Sequence, residues 1–182
     1  MQEIFAASDN TMLARPACVI KETPVFDQIG GLPVHVLVLH AAVVLIPLLA
    51  LGAIVYAVVP RWRSRIGWAV LLLAIVAPVC AFVTRESGLK FYNRVVGRGV
   101  SAKGRELLDQ HMHFGTRTMW FAIALGVVTL VMVVATLRRP RTSLPRVADI
   151  GLGVIMVALA AISGYYVFRS GDSGAHVVWG TY

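Results

Sequence analysis

Four apolar stretches, each near the ~20 residues a helix needs to cross the hydrocarbon core, leave this chain few ways to fold. The first runs from about Leu32 to Val59 and is stopped by Pro60. The second runs from Ile66 to Thr84 and contains Pro78. The third, Thr118 to Leu137, ends at "RRPR", and the fourth, Ala148 to Phe168, is followed by "RSGDSGAHVVWGTY". Lipid offers no partner to a bare N–H or C=O, so such stretches cross as helices. The expectation is an all-α integral membrane four-helix bundle over residues 31–180, behind a polar N-terminal tail of residues 1–30. With 58% hydrophobic and 14% charged residues, against about 25% charged in soluble domains, a water-soluble fold is excluded. At 182 residues one compact unit fills the chain.

The tail carries Glu3, Asp9, Glu22 and Asp27 against Arg15 and Lys21. It lacks the basic segment and apolar run of a signal peptide. Cys18 in the tail and Cys80 inside a span make no disulfide framework. The net charge of +8 sits on residues flanking apolar spans, so the lipid bilayer is the partner it implies. No aromatic-basic platform for a nucleic acid is visible.

The connections "PRWRSR" and "RRPRTSLPR" are short and Arg-rich, whereas the basic residues between Arg85 and Arg117 are spread out and diluted by Glu86, Glu106 and Asp109. Short loops dominate the positive-inside rule. Both Arg-rich loops are therefore expected inside, and both termini and the long loop outside, in a bacterial plasma membrane. In the long loop, Ser101 is placed to cap a helix over about 101–117. Trp62, Trp68, Trp120 and Trp179 fall near span ends, where indole rings anchor. Small residues within the spans permit close helix packing, and no sequence repeat is evident.

All five histidines then fall at the outer side. His35 and His40 open the first span, His111 and His113 precede the third, and His176 follows the fourth. His35 and His40 stand about 140° apart on an ideal helix and cannot both face one ligand. Asp109 and His113 share a face, a spacing that suits a carboxylate orienting an imidazole.

These stretches resemble a bacterial group of four-helix predicted membrane proteins classed as a domain of unknown function. "LPVHVLVLH" is similar to the group's opening L-P-x-H-P-x-x-V-H-F-P. "TRESGLKFYNRVVGRGVSAKGRELLDQHMHFGTR" resembles its small-residue turn, basic stretch and H-x-x-x-G, here His111 to Gly115. "RSGDSGAHVVWG" resembles its closing G-[DH]-S-G-A-x-x-V-W-G. The resemblance implies His35, His40 and His111 as recurrent polar residues, with Asp172, Ser173 and Trp179. His113 and His176 fall at variable positions of the pattern. Val36 and Ala41 stand where Pro and Phe are usual, implying a more regular start to the first helix. Relatives joined to Rieske-type domains imply a neighbourhood of electron transfer, although this chain lacks the paired Cys-x-His motifs of such a cluster.

Three functional readings stand open. The histidines serve a structural or accessory membrane subunit, in a homo-oligomer or a respiratory-chain complex. Alternatively His35 or His40 with His111 ligates b-type haem as an electron carrier. Or His35, His40, His111 and His113, with Asp109, Glu86 or Asp172, hold zinc or copper. An enzyme is not the expectation: Ser101, Ser170 and Ser173 lack a nucleophile elbow, and "SGDSGA" reads as a Gly/Ser turn where Asp172 or Ser173 returns the chain to the surface. Four spans without a charged midplane residue also argue against a transporter.

Overall fold

The computed structural model describes residues 28–29, 32–137 and 145–179. The N-terminal tail with Cys18, and the arginines of residues 138–144, lie outside the described residues. Four long helices account for nearly everything: α1, Val34–Val58; α2, Arg63–Gly97; α3, Ala102–Leu137; and α4, Arg146–Trp179. All four are long and apolar enough to cross a membrane. A two-residue antiparallel pair, β1 (Gln28–Ile29) and β2 (Leu32–Pro33), leads into α1.

Each boundary has a local cause. Pro60 cannot continue the α1 hydrogen-bond ladder and opens a single 3₁₀ turn, Pro60–Trp62. At the α2–α3 corner, Gly99 takes a left-handed φ of 87°, and its N–H closes on Val96 O at 3.1 Å, a helix stop that favours glycine. The Ser101 hydroxyl then accepts the Gly104 N–H at 3.1 Å, capping α3.

Three helices outrun the expected spans. α2 continues from Thr84 to Gly97, α3 begins at Ala102, and α4 runs through "RSGDSGA" to Trp179. The reading of that last segment as a Gly/Ser turn is therefore corrected. Of its glycines, Gly174 seats a side chain from α3, whereas nothing lies within 4 Å of a Cβ at Gly171. With 34 to 36 residues each, α2, α3 and α4 reach about 50 Å at 1.5 Å per residue, well beyond a ~30 Å hydrocarbon core.

The helices form a ring in chain order, each packed on two neighbours, with α1 diagonally opposite α3. Ile46, Leu49, Tyr56, Leu125, Met132 and Met156 fill the centre, while Val44, Leu51, Trp68 and Phe168 are exposed on the outside. Apolar residues on both faces are what a lipid-facing bundle requires. Helices α2 and α3 approach closely at Gly126, where an added Cβ would lie 2.5 Å from Pro78 Cγ and 2.7 Å from Ala74 O. Ala74 O is the carbonyl four residues before Pro78, whose ring nitrogen has no hydrogen to give it.

The two halves of the bundle also correspond in the burial of matched positions. Positions of α1 and α3 correspond at an offset of 76, His35 to His111. On that register Ala42, Ile46, Leu49, Ala53 and Tyr56 match Thr118, Ala122, Leu125, Thr129 and Met132, and all ten are buried. Positions of α2 and α4 correspond at an offset of 86, Thr84 to Ser170, matching buried Val70 and Ala74 to Met156 and Ala160. The chain is thus two helical hairpins, α1–α2 and α3–α4, of one plan. Lipid-facing positions need only be apolar, so the two halves retain little common sequence there.

Candidate functional site

The duplication culminates at one end of the bundle, where each hairpin holds one imidazole in the same way. His35 Nδ1 lies 3.1 Å from Thr84 O and 3.2 Å from Ser87 Oγ. His111 Nδ1 lies 3.1 Å from Ser170 O and 3.2 Å from Ser173 Oγ. Each serine is three residues past its carbonyl and gives its own hydrogen back to it, at 2.9 Å for Ser87 and 3.0 Å for Ser173. Each ring also rests on a glycine one position further on. A Cβ on Gly88 would fall 2.9 Å from His35 Cε1, and one on Gly174 would fall 3.0 Å from His111 Cε1. The Phe91 ring stacks on His35 at 6.1 Å between centroids.

This cradle fixes the tautomer. A carbonyl only accepts, and the serine hydrogen is already committed, so Nδ1 must be the donor on both rings. The proton position is inferred from these partners. In the neutral ring Nε2 is then the unprotonated nitrogen, and no hydrogen bond to Nε2 of either ring is found among the described residues. An imidazole whose Nδ1–H is held by a carbonyl is oriented as a ligand through Nε2.

Both rings line one cavity between the hairpins. Its walls are mostly apolar, with Leu39, Val43, Ile46, Met112, Met119 and Val167, and Arg85 is the charged residue among them. The enclosed volume is about 60 Å³, and about 570 Å³ of open space lies among the lining side chains when the mouth is included.

The remaining sequence candidates lie apart from this pair. His40 is exposed and bonds its own helix, Nδ1 to Val36 O at 2.6 Å, because a five-residue step carries it off the inward face. Asp109 accepts the Tyr92 hydroxyl instead of orienting His113, which is exposed and packs its ring edge-on to Phe114. His176 bonds Asp172 O at 2.9 Å, and Trp179 is exposed at the end of α4. Glu86 pairs with Arg85, and Asp172 lies 3.5 Å from Arg169. No group of three or more His, Cys, Asp or Glu placed to hold a metal ion occurs among the described residues.

Thr84, Ser87, Gly88 and Gly174 carry no site role in the sequence expectations, and Ser170 enters them only as a rejected nucleophile. Their signal is the recurrence of "TRESG" (84–88) in "SGDSG" (170–174), a hydroxyl residue, one variable position, then acid-Ser-Gly.

Fold and site together define a four-helix membrane protein with a pair of imidazoles, one from each half, held ready at a cavity. Residues 31–181 match the family described as predicted membrane protein (DUF2231), and the chain belongs to that family. No curated protein and no solved structure matches it.

Proposed function

We propose that this chain is a membrane electron-transfer subunit that binds b-type haem, with His35 and His111 as the axial ligands. The observation that carries the reading is the double Nδ1–H tautomer, which leaves two Nε2 lone pairs at one cavity. Two imidazoles from facing helices are what an iron already held by four porphyrin nitrogens still needs. A bare structural zinc ion takes four protein ligands, more than this pair supplies. The apolar walls suit a macrocycle. A macrocycle is several times larger than the ~60 Å³ cavity, so loading requires the two hairpins to part as well as Met112 and Met119 to repack. Bound there, haem supplies one-electron transfer; the chain's own residues orient the imidazoles and exclude water from the walls.

The Arg-rich turn at Arg61, Arg63 and Arg65 supports an inner position for the opposite end of the bundle. The proposed topology thus puts both termini and the imidazole pair outside, in a bacterial plasma membrane. Proximity to a respiratory-chain complex follows from the same reading.

The small enclosed volume favours a second reading, in which the two cradles are fasteners. His35 ties α1 to α2 and His111 ties α3 to α4, giving a structural or accessory subunit. Oxidised and dithionite-reduced absorption spectra, with metal analysis of the same purified sample after haem loading, separate the two. A Soret band with α and β bands on reduction, lost in His35→Ala and in His111→Ala, supports haem ligation. A featureless spectrum after loading, with both variants merely less stable, overturns it in favour of fasteners.

A further inference from the structure

The duplication makes the cavity nearly two-fold, so the places where the two halves differ carry information about its occupant. His35 matches His111, Ala42 matches Thr118, Val43 matches Met119 and Thr84 matches Ser170, and all of these line the cavity. One matched pair differs in charge: Arg85 of α2 against Gly171 of α4, both also lining it. A guanidinium stays protonated at any ordinary pH and presents five N–H donors in a planar fork. Arg85 directs Nη1 to the Glu86 carboxylate beside it on the same helix. Its Nε–H is buried and has no partner, a costly condition for a donor away from water. Arg169 also has a buried, unpartnered Nε. It is not among the cavity-lining residues, however, and its guanidinium carbon lies 4.9 Å from the Phe114 ring centroid.

We propose that Arg85 is an acid-recognition site of the cavity: the occupant carries a carboxylate on the α2 side, which the Arg85 guanidinium binds, while the two imidazoles act near the two-fold axis. Resting on the preceding reading that the cavity is filled, this assigns a polarity to its contents. The central grip is symmetric, and the single cation decides which way round an occupant with an acidic edge sits. A porphyrin bearing propionates has that chemistry. A fully apolar occupant would leave the donor unpaired, and charge-assisted hydrogen bonds to carboxylates are among the stronger polar contacts.

The test uses the full chain in nanodiscs of phosphatidylcholine. Four compounds are titrated: haem b, its dimethyl ester, iron-free protoporphyrin and its dimethyl ester. Haem is followed by its Soret band and the iron-free rings by quenching of tryptophan emission. The natural chain is expected to bind each acid about ten- to a hundredfold more tightly than its ester. In Arg85→Gln that ratio falls toward one, while Arg85→Lys keeps part of it. Comparing chains in the same discs cancels partition into lipid, and circular dichroism of the variants checks that they fold. A preference for acid that persists unchanged in Arg85→Gln, or its absence from the natural chain, overturns the assignment. Acid preference for the iron-free ring without a six-coordinate haem spectrum supports Arg85 and overturns ligation by the histidines. A six-coordinate spectrum without acid preference does the reverse, and failure of all four to bind overturns both.

Discussion

Replacing either cradle glycine by alanine separates the imidazole site from the stability of the bundle. In a helix interior Gly→Ala normally stabilises by roughly 0.5–1 kcal/mol. At Gly88 the new methyl would lie 2.9 Å from His35 Cε1, so the ring must retreat about 0.5 Å to reach ordinary contact at 3.4 Å. Retreat from α2 stretches the 3.1 and 3.2 Å contacts of Nδ1 to about 3.6 and 3.7 Å, where they no longer count as hydrogen bonds. The loss is about 0.5–1.5 kcal/mol, so gain and loss nearly cancel. Gly174→Ala repeats the experiment on the other half, with 3.0 Å to His111 Cε1. Thermal unfolding in detergent should therefore shift little in either variant. The ¹⁵N resonances of the affected histidine should lose the fixed Nδ1–H pattern, and the six-coordinate haem spectrum should disappear. Gly164→Ala, with nothing within 4 Å of its Cβ, is the control that gains helix propensity alone. An unchanged histidine spectrum in Gly88→Ala and Gly174→Ala would refute the seating argument. So would destabilisation beyond about 3 kcal/mol, which would make the glycines packing residues.

At Gly126 the sign reverses. An added methyl meets a proline ring and a backbone carbonyl, neither of which can swing aside, and Gly126→Ala should cost about 1–3 kcal/mol in an unfolding titration. Asp149 accepts two bonds from Arg63, at 2.7 and 3.2 Å, with side chains 29% and 15% exposed. Asp149→Asn should lose about 2 kcal/mol in the same assay, and equal stability would show the pair to be solvated. His40→Ala and His113→Ala should leave the absorption spectrum as it is, since neither ring reaches the cavity. Loss of the Soret band in either would place a ligand where the structure has none.

What the sequence discloses follows from how directly each feature is tied to one stretch of chain. The four spans and the all-α architecture are legible because hydrocarbon thickness sets a minimum apolar run. The Ser101 cap is legible because its function lies within one turn of helix. His35 and His111 are visible as polar residues at span ends. Their pairing, however, depends on which way each helix turns, and nothing in the α1 sequence says that His35 points inward and His40 outward. The cradles were harder still, since each joins an imidazole to a carbonyl and a serine some 50 or 60 residues away in sequence. Serines and glycines in "TRESG" and "SGDSG" look like turn formers when read one stretch at a time. They become a recurring device only when the contacts of the two hairpins are set side by side.

Carrying both hairpins on one polypeptide also frees each from the other's history. In a dimer of identical hairpins every substitution appears twice, so an arginine admitted at one edge of the cavity would face its twin. Here Arg85 stands opposite Gly171, and the buried hydroxyls of Thr129 and Ser163 occupy the counterparts of Ala53 and Ala77. At each matched position one half can thus keep a small residue while the other takes on a polar one. A symmetric frame has acquired a front and a back without surrendering the paired imidazoles at its end.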